Sequence, residues 1–149
     1  MKSSTRFDPT GSLCAVLAAA LFIVPAAQAA TLVVANKAEA TVSLINLGDG
    51  AVVATLPAGE GPHEVGISPD GRFALVTNYG TRENDGNSLT LIDIPAAKVV
   101  STIDLGDYRR PHGVEWLDNK QAVVTAETNK ALIVVDVERE KVVQSIGTD

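Results

Sequence analysis

Residues 62–78 read PHEVGISPDGRFALVTN, and this stretch decides the fold. Two short apolar segments flank Ser68-Pro69-Asp70-Gly71. Proline presets φ near −65° and glycine accepts a positive φ, so those four residues read as a β-turn. The flanks, Pro62-His63-Glu64-Val65 and Ala74-Leu75-Val76-Thr77-Asn78, suit a pleated surface on which β-branched side chains pack well.

Working outward, the same pieces recur. Ala74 to Asn78 has counterparts in Leu32-Val33-Val34-Ala35-Asn36 and Ala122-Val123-Val124-Thr125-Ala126. After each comes a second element: Val42 to Asn46, Leu89 to Asp93 and Leu132 to Asp136. A third follows: Val52 to Leu56, Val99 to Ile103 and Val142 to Ile146. The Pro-His element occurs twice, at Pro62 and Pro111. Val34 to Val76 is 42 residues and Val76 to Val124 is 48, most of the difference being an insertion around Thr81 to Asn87. The remaining reversals fall at Gly48 to Gly50, Pro95 to Lys98, Asp118 to Lys120 and Glu138 to Lys141. Four short strands per 40 to 50 residues is the plan of one propeller blade. The fold class expected is all-β, a β-propeller of four-stranded antiparallel blades. Recurrence of the whole strand-turn order argues against a β-sandwich, and only Glu138 to Ser145 leaves helix open.

Val76-Thr77-Asn78, the two Pro-His pairs, Ser68-Pro69-Asp70-Gly71-Arg72 and the Lys-Val-Val at Lys98 and Lys141 resemble the YVTN-repeat β-propellers, including periplasmic YncE-like proteins. The resemblance covers nearly all of residues 31–149. It implies that the Pro-His strand is innermost (a), with b, c and d outward. On that register blade one holds strands b to d over residues 31–58, blade two spans 62–105 and blade three 111–147, about 2.75 blades within a partial propeller over 30–149. Absence of an inner strand in blade one leads us to expect the N-terminal portion of a longer propeller. Exposed blade faces would then make the isolated chain self-associate. Val-Ala-Asn in blade one, Val-Thr-Ala in blade three and the long b–c loop of blade two depart from the family pattern.

Residues 1–29 read as a secretory signal peptide. Lys2 and Arg6 precede a twelve-residue apolar run, Leu13 to Val24, and Ala27-Gln28-Ala29 fits a cleavage site. As a helix that run spans about 18 Å, short of the roughly 30 Å of a bilayer core. A periplasmic or secreted product starting at Ala30 is expected, free of cysteine because Cys14 leaves with the signal. Taking Lys2, Arg6 and Asp8 from 12 basic and 18 acidic residues leaves 10 and 17, a net of −7. Such a charge disfavours broad attraction to nucleic acid or anionic lipid.

In a four-stranded meander the d–a and b–c loops share one rim. Glu60, His63, Tyr79 to Ser88, Asp107 to Arg110, His112 and Glu127 to Lys130 therefore gather there, and the other rim has mainly plain turns. His63 and His112 read either as ligands for a bound group or metal, or as structural residues hydrogen-bonding across adjacent loops. Their repetition favours the structural role, and no carboxylate or cysteine accompanies them at metal-binding spacing. Asp107-Tyr108-Arg109-Arg110 is the cationic, aromatic-bearing loop of an acidic chain. It could hold a phosphate or carboxylate through arginine, or stack Tyr108 on a base. Otherwise it is a connector whose charges pair locally. Arg82 to Asn87 lacks EF-hand spacing and reads as a flexible polar hairpin loop, and Trp116 as core or channel lining. The candidate ligand- or partner-binding residues are thus His63, Tyr108, Arg109, Arg110 and His112. No nucleophile elbow, phosphate loop or dinucleotide fingerprint appears, so catalytic residues, metal and cofactor are read as none. A non-enzymatic scaffold binding an anionic small molecule or a protein is expected. The alternative by resemblance is a lactonase-like or quinoprotein-like oxidoreductase propeller whose centre needs further blades.

Overall fold

Each β-branched run ends at residues able to reverse the chain, so strand follows strand without a crossover. The computed structural model describes residues 30–148, and the signal read over residues 1–29 lies outside them. Three strands, β1 (Thr31–Asn36), β2 (Thr41–Asn46) and β3 (Val52–Pro57), form the first sheet. The second contains β4 (Pro62–Ile67), β5 (Phe73–Gly80), β6 (Asp85–Asp93) and β7 (Lys98–Asp104). The third contains β8 (Pro111–Trp116), β9 (Gln121–Ala126), β10 (Ala131–Asp136) and β11 (Lys141–Gly147). All pairings are antiparallel and sequential, which makes each sheet one propeller blade. Among the described residues no helix is long and apolar enough to cross a membrane.

The expected turns close as their chemistry requires. Gly71 takes φ +72° and its N–H donates to the Ser68 carbonyl at 2.8 Å. The Ser68 hydroxyl donates to Asp70 Oδ1 at 2.6 Å and accepts from the Phe73 N–H at 2.8 Å. At the c–d turns one device repeats. Asn46, Asp93 and Asp136 each end strand c, and their side-chain oxygens accept the N–H of Gly48, Ala96 and Arg139 at 2.7, 2.9 and 2.9 Å.

Asp93 is buried and also pairs with Arg72 at 3.0 Å. The Ala96 N–H, opposed by burial and helped by Arg72, holds its carboxyl below the ordinary 3.8. A carboxylate with a depressed folded pKa contributes stability that is complete above its unfolded pKa and lost as pH falls through the folded one. The urea midpoint of Asp93→Asn should therefore fall less steeply than that of wild type once pH drops below 3.8. Parallel acid limbs in the two titrations would show that Asp93 carries none of this dependence.

The apolar core lies between blades, because alternate residues of the second sheet face opposite neighbours. Ala74, Val76 and Ile92 pack with Val42 and Leu44 of the first sheet. Leu75, Leu89, Leu91, Ile103 and Leu105 pack with Trp116, Ala122, Val124, Ile133, Val135 and Val137 around the third. Trp116 is core: it is buried, and its Nε1–H donates to the Gly66 carbonyl at 3.0 Å.

The insertion is not the loose loop expected from its polar sequence. β5 and β6 extend through it as a hairpin in which Gly80 pairs with Asp85. The Thr81 N–H donates to the Asn84 carbonyl at 2.8 Å, and the Thr81 hydroxyl accepts the Asn84 N–H at 3.1 Å. Asp85 then reaches the third blade, bonding Arg110 at 2.7 Å and Thr128 at 3.1 Å.

Candidate functional site

Both inner strands carry a β-bulge at the Pro-His element, with register shifts between Pro62 and Val65 and between Pro111 and Val114. A threonine from strand b sits against each bulge. Thr77 Oγ1 accepts the Glu64 N–H at 3.0 Å and donates to the His112 carbonyl of the next blade at 3.0 Å. Thr125 repeats the first half of this arrangement, accepting the Gly113 N–H at 2.8 Å. The histidine-bearing segments of two blades are thereby locked together through their backbones.

The side chains then meet at the rim. The rings of His63 and His112 lie 4.3 Å apart between centroids, tilted by 43°. Tyr79 stands 5.2 Å from His63 and 5.6 Å, edge-on, from His112. Lys37 Nζ lies 5.0 Å from the Tyr79 centroid and the Arg110 guanidinium 4.8 Å from it, both within cation–π range. The Tyr79 hydroxyl donates to Glu127 at 2.5 Å. Lys37, Tyr79 and Glu127 occupy one repeat position, each directly after the Asn36, Asn78 or Ala126 of its blade. A cation, an aromatic ring and an anion thus join three blades at equivalent sites.

Of the residues expected here, His63, His112 and Arg110 converge. The hydrogen bond expected from the histidines across adjacent loops is not what joins them: Thr77 makes that link, and the rings touch each other. His63 Nδ1 is buried with no hydrogen-bond partner among the described residues. Burial, then the charges of Lys37 and His112, push the His63 pKa below its ordinary value, against weaker opposite pulls from Glu64 and Glu127. The expectation that no carboxylate accompanies the pair is corrected. Glu64 Oε1 lies 3.8 Å from His63 Nδ1, and the ligand atoms of His63, Glu64 and His112 all fall within 4.8 Å of one another. Strict alternation would send Glu64 to the opposite face from His63; the bulge breaks it.

Tyr108 goes elsewhere: it is partly buried and packs on the apolar cluster between the second and third blades, so its ring belongs to that packing. Arg109 is tied through its backbone, its N–H donating to Asn129 Oδ1 at 2.7 Å. Arg110 donates to the Thr81 carbonyl at 3.1 Å besides pairing with Asp85, which is the local charge pairing considered from sequence. It also holds φ +52°, at the place where the second blade has Gly61 at φ +58°. A side chain there is strained by about 1–2 kcal/mol. Arg110→Gly should therefore be more stable than Arg110→Ala by about 1 kcal/mol in urea melts. Equal midpoints would mean that this backbone carries no strain.

Sequence reasoning missed Lys37 and Glu64, and placed Tyr79 and Glu127 on this rim without counting them among the binding residues. For three of them a signal existed: the residue after the repeated Asn, Asn and Ala. A groove of about 360 Å³ opens beside His112, lined also by Thr125, Glu127 and Lys130. A larger one of about 430 Å³ on the other rim is lined by Thr31, Val53, Ile67 and Pro95 and no ionisable side chain.

The chain superposes on hydrazine synthase of Kuenenia stuttgartiensis with a TM-score of 0.68 and 26% identity, over 80% of this chain and 33% of that one. It superposes on the dihydro-heme d1 dehydrogenase NirN in complex with DHE with a TM-score of 0.65 and 21% identity, over 78% of this chain and 24% of that one. The chain thus spans about a third and a quarter of these two proteins. No curated protein sequence matches it. A sequence model of the YncE-like β-propeller matches residues 15–120, which takes in the first two blades and the Pro-His strand of the third. With eleven strands in three meander sheets behind that match, the chain belongs to the YncE-like β-propeller family.

Proposed function

We propose that this chain is an exported, non-enzymatic binding scaffold whose inner rim takes an anionic small molecule or an acidic segment of a protein partner. One observation carries this reading: Lys37 and Arg110 converge on Tyr79 beside the two histidines, in a chain whose overall charge is −6. Cations gathered against the net charge of the chain, on loops presented by rigid strands, make a local anion site.

The test uses citrate and inorganic phosphate titrated calorimetrically into the exported product, whose intact mass should place its N-terminus at Ala30. Arg109→Ala with Arg110→Ala removes charge-assisted hydrogen bonds of about 1.5–3 kcal/mol each, so affinity should fall at least about tenfold. Wild-type affinity in the double variant would take this loop out of the site. His112→Ala separates the two histidine roles: a lowered melting temperature marks a structural ring, weaker binding at unchanged stability a contacting one. A second reading, an oxidoreductase propeller, is favoured by the likeness to hydrazine synthase, and turnover of a bound ligand by the wild-type chain would favour it over binding alone.

A further inference from the structure

We propose that His63, Glu64 and His112 form a three-ligand site for a first-row divalent transition metal at the inner rim, with a further position open to water or to an anion. Three observations on separate footing converge. The donor atoms lie within 4.8 Å of one another, on two adjacent inner strands whose bulges place them. His63 Nδ1 is buried and without a partner, 3.8 Å from the Glu64 carboxylate. A buried polar atom left unpaired is destabilising, and a bound cation would relieve it. Thr77 fixes the backbone of both ligand-bearing segments, the outer support that ligand sets require.

The donor set selects the ion. Two imidazoles and one carboxylate suit zinc, copper or nickel rather than calcium or magnesium, which take oxygen ligands. Zinc bonds nitrogen and oxygen at about 2.0–2.2 Å, so tetrahedral donors stand roughly 3.2–3.5 Å apart. The three side chains need to draw in by about 1 Å, and Glu64, half exposed, can swing to do so. The cations facing the site are Lys37, stacked on Tyr79, and Arg110, paired with Asp85. Glu64 and Glu127 supply the opposing negative charge.

This site goes beyond the anion reading and does not need it. The experiment titrates zinc chloride into the exported product, which lacks Cys14, prepared without a polyhistidine tag and with no anion but chloride, so failures of the two readings are seen separately. One ion should bind per chain, and cobalt in its place should show the visible absorption of a four-coordinate ion. His63→Ala, His112→Ala and Glu64→Gln should each weaken zinc at least about tenfold, since even outer-shell changes at such sites cost that much. Should a histidine variant misfold, Glu64→Gln on its half-exposed side chain decides alone. Failure of zinc to bind, or wild-type affinity in Glu64→Gln, overturns the proposal.

Discussion

Trp116→Ala is expected to destabilise the chain by about 3–5 kcal/mol, as large-to-small changes at buried aromatics do. The indole is 6% exposed and joins side chains of the second and third blades in one cluster. Its Nε1–H also satisfies the Gly66 carbonyl, and a β-carbon on Gly66 would stand 3.3 Å from the ring. The glycine is therefore what lets the indole lie against the inner strand of the neighbouring blade. Trp116→Phe separates the two contributions. It keeps most of the volume and loses the hydrogen bond, which should cost about 1–2 kcal/mol with some cavity added. Urea midpoints followed by far-ultraviolet circular dichroism measure both. A loss below 1 kcal/mol for the alanine variant would mean that the seam between the two blades is not held at this residue.

Asn78→Ala should cost about 3 kcal/mol, although it removes only a carboxamide. The side chain is 1% exposed. Its Oδ1 accepts the Gly59 N–H at 3.1 Å, and its Nδ2 donates to Ser88 Oγ and Thr90 Oγ1 at 3.0 Å each. Truncation leaves the Gly59 N–H and a buried Thr90 hydroxyl poorly satisfied, at about 1–3 kcal/mol apiece. The third blade shows how such a loss is accommodated. There Ala126 replaces the asparagine, and Ala131 and Ile133 occupy the register positions of Ser88 and Thr90. No polar partner is stranded. Holding the d–a loop passes to Asn129, which accepts the Arg109 N–H at 2.7 Å and donates to the Asp107 carbonyl at 3.2 Å. Adding Ser88→Ala and Thr90→Val to Asn78→Ala should recover part of the stability, because an unmatched hydroxyl costs more than none. A triple variant no more stable than the single one would show that the Gly59 N–H carries the whole effect.

The repeat was legible because β-branched runs and their turns are local signals: Pro69 and Gly71 announce their reversal whatever surrounds them. The rim was legible by parity alone, and His63, His112 and Arg110 did arrive there. What could not be read was any feature that depends on a bulge or on a neighbouring blade. Glu64 follows His63 directly, and alternation assigns it to the opposite face until the register shift is known. Tyr79 was read as the start of a rim loop, Tyr79 to Ser88, whereas β5 runs through it to Gly80. Tyr108 lay in a charged loop and was read for its ring face, yet its apolar surface took it to the cluster between blades. The c–d turns hid their caps in plain view. Asn46, Asp93 and Asp136 are short polar residues at the end of apolar strands, where they accept a turn N–H.

The Thr77 hydroxyl has a consequence for how such a chain can grow. It receives an N–H from its own blade and gives its proton to the carbonyl of His112 on the next. The position of His112 is thus set partly by the blade before it, so at this rim the functional module is a seam and not a blade. Duplicating one blade adds a seam with both halves of the lock already present, a histidine bulge to be held and a threonine to hold another. Ala35 in the first blade lacks that hydroxyl, so the seam that leads to His63 keeps the strand without this proton donor. A family of propellers made this way can vary its rim chemistry seam by seam, while the strands beneath go on repeating.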